Sequence, residues 1–320
     1  MKAAWFAALF CGALSLTPSV HAADYPDHPV KFIVGFAAGS GPDVITRTVG
    51  TQLTTDLGQA FYVQNQAGAN GTVAIRAVAT SPADGYTLLY SSASIASVPY
   101  LYKNPNFDVL KDLVPIATSG VLDGNLVLVQ PSLPVSDMKE FVDYARTHKL
   151  FYGSPGYGNG LHLATALFNE RAGIEMDHVP FRGASEVTAA LLAGNVQVMF
   201  VTPPSVIALV QSGMLKAIGY TGAKPFPELP KVPLVKDAVP TYPVQGSWGI
   251  FFAPKGTPKE IVTKLNVAIR AALKQPAVAN VVQKSGYEPD ERSPEATAEF
   301  FKAEIEATAE AVKAAKIKPE

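Results

Sequence analysis

Two glycine-bearing segments carry the residues best suited to holding an anion. One is Phe36-Ala37-Ala38-Gly39-Ser40-Gly41-Pro42-Asp43, and the other is Ser154-Pro155-Gly156-Tyr157-Gly158-Asn159-Gly160. Each follows a short apolar run and precedes a stretch with helical spacing. A strand–loop–helix junction aims unpaired backbone N–H groups at the space beyond the strand, and the helix dipole adds partial positive charge there. The result is an anion site that needs no charged side chain, and small residues let a ligand approach the backbone. Each junction on its own is equally well read as an ordinary turn between strand and helix.

A few side chains could assist. Asp43 falls in a first helical turn, where it can cap the helix, hold a water or read an amine. Arg47, one turn on, can pair with it. Ser91 and Ser92, with Ser94, follow the apolar run Tyr86–Tyr90 and offer hydroxyls to a ligand or caps to the next segment. Arg182 precedes Gly183 and suits either a carboxylate or a surface ion pair. His162 and Trp248 fit structural roles.

Recognised catalytic constellations are missing. Beyond residue 22 the histidines are His28, His148, His162 and His178, and none pair at helical zinc spacing. The sequence contains no Gly-x-Ser-x-Gly elbow and no Gly-Lys dipeptide, which excludes a P-loop. Gly156-x-Gly158-x-Gly160 has its third glycine one residue too early for a dinucleotide fingerprint. No catalytic residue, metal or cofactor is expected. With 26 basic and 27 acidic side chains the net charge is −1, which leaves no footprint for nucleic acid.

The elements that must position the two loops alternate. Val30–Phe36, Phe61–Val63 and Tyr86–Tyr90 are predicted strands, and helices are predicted over Asp43–Leu57 and Val73–Ala79. Gly58 stands where a left-handed C-terminal cap belongs. The same grammar recurs: strands at Leu126–Val129, Leu150–Gly153, Asp177–Pro180, Val196–Val201 and Leu215–Tyr220, with helices at Asp137–His148 (capped by Ser136), Leu161–Arg171 and Ser185–Gly194. Trp248–Ala253 is a further strand. Thr257-Pro258-Lys259-Glu260 and Ser293-Pro294-Glu295 are helix starts. Strand–helix alternation predicts an α/β fold with largely parallel strands.

At the N-terminus, Lys2, the apolar run Ala3–Leu16 and Val20-His21-Ala22 read as a cleaved secretory signal over residues 1–22. Removing 22 of 320 residues leaves 298 and takes away Cys11, the single cysteine. The exported chain then has no thiol and no disulfide, and its core alone must stabilise it.

With these pieces in place the chain resembles the Bug-type solute-binding proteins of tripartite tricarboxylate transporters. The strings that carry the resemblance are Tyr25-Pro26, Phe36 to Asp43 with Arg47, Leu57-Gly58-Gln59, Asn65-x-x-Gly68-Ala69-x-Gly71 and Asp84-Gly85-Tyr86-Thr87-Leu88-Leu89. Further along come Asp112-Leu113-x-Pro115-Ile116, Tyr152-Gly153-Ser154-x-Gly156, His178-Val179-Pro180-Phe181-Arg182-Gly183, Ala253-Pro254-x-Gly256-Thr257-Pro258 and Leu265-Asn266. Their order from Tyr25 to the C-terminus is more telling than any one of them.

The resemblance implies a two-lobed type II periplasmic-binding-protein (Venus flytrap) fold, each lobe a mostly parallel sheet flanked by helices. Lobe 1 would be residues 23–124 with 246–320 and lobe 2 residues 125–245. Hinges would lie at Asp123–Leu126 and Gln245–Trp248. It implies periplasmic capture of a small organic carboxylate by the two glycine loops, largely through backbone groups and water. It also implies delivery to membrane permease subunits, and a monomer is expected. A solute-sensing partner of a membrane receptor, and an exported α/β enzyme acting on a carboxylated substrate, are the alternatives. Gln197 and Pro230-Lys231-Val232-Pro233-Leu234 depart from the family pattern and bear on ligand identity.

Overall fold

The computed structural model describes residues 25–103 and 105–319. The expected secretory signal over residues 1–22, with Cys11, lies outside the described residues. In chain order, β1 (Val30–Val34), α1 (Gly41–Leu57), β2 (Phe61–Asn65), α2 (Thr72–Ala79), β3 (Thr87–Ser92), α3 (Val98–Leu101) and β4 (Leu113–Leu122) come first. Then follow β5 (Leu126–Val129), α4 (Met138–Ala145), β6 (Leu150–Ser154), α5 (Gly160–Ala172), β7 (Met176–Pro180), α6 (Ala184–Ala193), β8 (Val198–Val201), α7 (Ile207–Gln211), β9 (Lys216–Tyr220) and α8 (Val235–Ala238). β10 (Ser247–Pro254), α9 (Lys259–Leu273), α10 (Pro276–Lys284) and α11 (Pro294–Ala314) complete the order.

The strands form two five-stranded sheets, ordered β2-β1-β3-β10-β4 and β7-β6-β8-β5-β9. In each, one strand (β10 or β5) runs against the other four. The two orders are the same pattern, so β1 and β6 occupy equivalent places. That symmetry has no counterpart as a sequence repeat. The antiparallel strand of each sheet is the first one after the chain crosses from the other sheet.

Both sheets are covered on both faces, which explains their nearly continuous apolar strands. On β1, Val30, Phe32 and Val34 pack toward α1 and α9, while Ile33 packs with α2 on the opposite face. On β8, Val198 and Phe200 face one layer and Met199 and Val201 the other. α11 reaches both cores: Phe301 and Ile305 join the first sheet's helical layer, and Ala311 and Val312 join the second's.

Local signals set most helix ends. Gly58 is left-handed (φ 72°) and its N–H closes on the Thr54 carbonyl. Ser293 accepts from the Ala296 N–H with Pro294 in the first turn. Two expected caps move by one residue. Asp137, not Ser136, caps α4 and accepts from Glu140 N–H. Thr257 does not cap α9; its hydroxyl donates to the Pro254 carbonyl and Pro258 takes the cap position. In both cases the residue one place later has the extended geometry a cap needs. β4 is a ten-residue strand that no strand signal announced. Pro115 and Gly120 interrupt its pattern, yet its place at the sheet edge tolerates both. Gly120 (φ 149°) lets the Glu288 backbone approach, and Val121 bridges Glu288 there.

Candidate functional site

Both glycine loops leave the carboxyl end of the second strand of their sheet and run into a helix. α1 begins at Gly41 with Ser40 at its cap position, and α5 begins at Gly160 with Asn159 as its cap. Open α/β sheets collect ligands at the carboxyl ends of their strands.

The first loop is built around Asp43, which is 2 % exposed. Its Oδ2 accepts from the Gly39 N–H at 2.8 Å and its Oδ1 from the Asn65 amide at 2.8 Å. Arg47 Nε bridges both oxygens, and its guanidinium also donates to Asn65 Oδ1. The Asn65 amide donates in addition to the Phe36 carbonyl. Burial alone would raise the Asp43 carboxyl, but the Arg47 guanidinium, the Gly39 N–H and the Asn65 amide outweigh it and hold it below the usual carboxylate range. Gly39 takes a left-handed turn (φ 80°), and Ala37, Ala38 and Gly39 are exposed. The Ser40 hydroxyl is buried with no partner among the described residues. The N–H groups of Ala38, Gly41 and Asp43 likewise meet no acceptor among them. The Asp43 carboxylate thus shapes the loop, and the unspent donors are its own N–H and groups of its neighbours.

The second loop is tied down as thoroughly. Ser154, 1 % exposed at the end of β6, donates to the Gly156 carbonyl at 3.0 Å. The Gly156 N–H points at Ser154 Oγ, the Gly158 N–H at His162 Nδ1, the Asn159 N–H at the Gly156 carbonyl and the Leu161 N–H at Asn159 Oδ1. Pro155 has no N–H. The N–H groups of Tyr157 and Gly160 are therefore left over among the described residues. Gly156 (φ 137°) and Gly158 (φ 73°) adopt backbone shapes that favour glycine. The Tyr157 ring is 52 % exposed.

The remaining candidates fall around these loops. Arg182 is exposed just past β7, and Phe181 beside it donates its N–H to the Ser154 carbonyl. The Arg182 N–H reaches Glu186, while its guanidinium has no ion partner among the described residues. Ser91 is buried in β3 opposite Ile250; Ser92 ends the strand with its hydroxyl 3.3 Å from Ser94 Oγ. Gly160 shares a cavity of about 380 Å3 with Ala93, Ser94 and Ser97, so the segment after β3 and the second loop adjoin. Leu101 of α3 lies against Gly158. Trp248 is packing: it is buried and donates to Glu304 of α11 at 2.7 Å. Gln197 is scaffolding, bonded to the Phe151 N–H and the Gly194 carbonyl. Among the described residues no cluster of three or more His, Cys, Asp or Glu suits a metal, and no helix is long and apolar enough to cross a membrane.

Three residues matter more than their sequence context suggested. Asn65 is the second hub of the first loop, and its only signal was its place in the Asn65-x-x-Gly68 string. His162 and His178 stack face to face, with centroids 3.8 Å apart and planes at 10°. Burial, with His178 alongside, pushes His162 down to about 3; burial pushes His178 down to about 4. The ordinary value is 6.5. Between those values the unfolded chain binds protons that the folded chain refuses, so stability falls as pH drops below about 6.5. The expected slope is up to about 1.4 kcal/mol per pH unit for each imidazole. Urea midpoints from pH 7 to pH 5 should show it. The double variant His162→Asn/His178→Gln should flatten it, and an unchanged slope in that variant would assign the acid sensitivity elsewhere.

Residues 45–317 match the family model described as the tripartite tricarboxylate transporter family receptor. BugT of Bordetella pertussis is 33% identical over 305 residues, covering 93% of this chain and 92% of BugT. Among solved structures, R. palustris Rpa4515 with adipate superposes with a TM-score of 0.81 at 32% identity, covering 93% of this chain and 100% of that one. MatC from Rhodopseudomonas palustris with bound malate gives 0.77 at 29%, covering 90% and 100%, and periplasmic binding protein BugD gives 0.77 at 29%, covering 92% and 100%. The two-sheet α/β architecture is thus that of periplasmic binding proteins, and the chain belongs to the tripartite tricarboxylate transporter receptor family.

Proposed function

We propose that the protein captures a small dicarboxylate in the periplasm, between lobes formed by residues 23–124 with 246–320 and by residues 125–245, and hands it to the permease subunits of a tripartite transporter. One observation carries the reading: two loops rich in unspent N–H donors occupy equivalent strand ends in two sheets of the same order. The N–H groups of Ala38, Gly41 and Asp43 with the Ser40 hydroxyl serve one side of the ligand. Those of Tyr157 and Gly160 serve the other. Charge-assisted bonds of this kind are the strong ones. Adipate and malate, the acids bound by two structural neighbours, each carry two carboxylates. Arg182 supplies an unpaired cation for the second of them.

Closure is rotation about the two segments that join the sheets. There Asn125 N–H donates to Thr221 Oγ1, and the Asn125 amide and Thr221 hydroxyl both donate to the Gln245 carbonyl. The last turns of α11 lean on lobe 2 and set how far it can swing. The receptor acts as a monomer and performs no chemistry on its ligand.

A thermal-shift panel on residues 23–320 tests this. Adipate, malate and succinate are compared with their diamides. At 100 times its dissociation constant a ligand adds about 2.7 kcal/mol, which raises the melting temperature by roughly 5–10 °C. Dicarboxylates should stabilise and diamides should not. In calorimetry, Arg182→Ala should weaken a dicarboxylate about tenfold or more and leave the matching monocarboxylate alone. Stabilisation by diamides, or by no acid, would overturn carboxylate capture; equal loss for both acids would remove Arg182 from the second carboxylate.

A further inference from the structure

We propose that His162 and His178 are the positioning pair of the second loop, setting which of its N–H groups face the ligand. The inference rests on the reading of Ser154–Gly160 as a carboxylate loop. Each imidazole bonds a different point of that loop. His178 Nε2 lies 2.6 Å from Ser154 Oγ, and His162 Nδ1 accepts the Gly158 N–H at 2.9 Å. The hydrogen bonds assign the protons. The Gly156 carbonyl can only accept, so the single Ser154 proton goes there and the His178 Nε2–H donates to Ser154. His162 Nδ1 must be bare, so its proton sits on Nε2. Protonating His162 would remove the acceptor that Gly158 uses.

The rings form one row, stacked from Tyr152 through His178 to His162 and tilted at Tyr157, that ends on the loop itself. Tyr152 of β6 lies 4.9 Å from His178, His178 lies 3.8 Å from His162, and His162 lies 5.2 Å from Tyr157. Tyr152 and His178 are register partners across β6 and β7, so the sheet anchors the stack. Tyr157, at the free end, is one of the two residues whose N–H is unspent. With the Gly156 and Gly158 N–H groups drawn inward, the Tyr157 and Gly160 N–H groups remain for an anion. Loss of the His162 contact releases the Gly158 N–H, and loss of the His178 contact leaves the Ser154 hydroxyl, which accepts the Gly156 N–H, no longer fixed, so either loss disturbs the donor pattern. Preorganised donors bind better than donors that must be ordered first.

The two ring nitrogens allow a sharp test. Asparagine places its amide oxygen where Nδ1 stands, and glutamine places its amide where Nε2 stands. His162→Asn and His178→Gln keep the loop contacts, whereas His162→Gln and His178→Asn misplace them at similar polarity. Two readouts are taken on the full exported chain: amide hydrogen exchange at Gly158 without ligand, and adipate affinity by calorimetry. His162→Asn should keep Gly158 protected and affinity near wild type. His162→Gln should expose Gly158 and weaken adipate about tenfold, the worth of one lost hydrogen bond. His178→Asn should weaken adipate similarly, and His178→Gln should restore it. Equal behaviour within each pair would overturn the proposal. A wild type that binds no carboxylate would overturn the functional reading instead, and Gly158 exchange would still decide whether the imidazoles hold the loop.

Discussion

Replacing Gly246 with alanine lowers the melting temperature by on the order of 10 °C, the largest effect expected of any single methyl group in this chain. A Cβ built on Gly246 would stand 1.8 Å from the Leu122 carbonyl oxygen, with the Leu122 and Asp123 carbonyl carbons close behind. The obstacle is backbone, so no rotamer change relieves it. Relief requires parting the two segments that connect the sheets. Those segments are already close: a Cβ on Gly124 would meet the Gly222 nitrogen at 2.3 Å. Separation would also break the bonds from Asn125 and Thr221 to Gln245. Overpacking ordinarily costs about 1–3 kcal/mol, and a collision of main chains exceeds that range. Scanning calorimetry of Gly246→Ala against Gly183→Ala gives the measurement, because a Cβ at Gly183 meets nothing within 4 Å. Equal melting temperatures for the two variants would sink the argument.

Asp43→Ala should be the most damaging change in either loop. It removes the acceptor of the Gly39 N–H and of one Asn65 amide hydrogen, and it frees Arg47 from its partner. Both donors are only partly buried and Asn65 keeps its bond to the Phe36 carbonyl, so water recovers part of the loss and about 1–3 kcal/mol is expected. Arg47 adds little to that figure because it is half exposed. Loop geometry suffers alongside stability. Gly39 is held left-handed by the bond to Asp43, and the Ser40 hydroxyl and the Ala38, Gly41 and Asp43 N–H groups take their directions from that turn. Adipate affinity should fall by at least about tenfold. Asp43→Asn retains an acceptor and should lie between wild type and alanine. Urea unfolding and calorimetry on the three proteins check both parts. Wild-type stability with wild-type affinity in Asp43→Ala would refute the hub.

The two losses differ in kind. Gly246 is a place where two backbones touch, and Asp43 is a place where several donors converge on one carboxylate. Both were visible in the sequence as residue types, and neither role was. Asp43 could be read as a cap, a water holder or an amine reader. Its role follows from Asn65, which is 22 positions away. Asn125 and Gln245, expected near hinges, meet across 120 positions.

By itself the sequence determined the features that near neighbours control. The apolar run of β1, the four-residue spacing of Ile45, Val49 and Leu53, the left-handed cap at Gly58 and the serine cap at Ser293 all rest on contacts within a turn or a strand. So do the two glycine loops, since backbone N–H groups at a helix start have no partner within the helix. The tertiary structure decided the rest. It made β4 a strand by pairing it with β10, despite Pro115 and Gly120. It also set two sheets in one strand order, and it spent some loop N–H groups internally while leaving others for a ligand. The histidine stack is the clearest case. His162 and His178 sit on a helix and a strand with no shared motif, and only the docking of α5 beside β6 and β7 brings the rings to 3.8 Å. Periodicity and capping are local and can be read along the chain, whereas packing joins distant residues and exists only once the chain has folded.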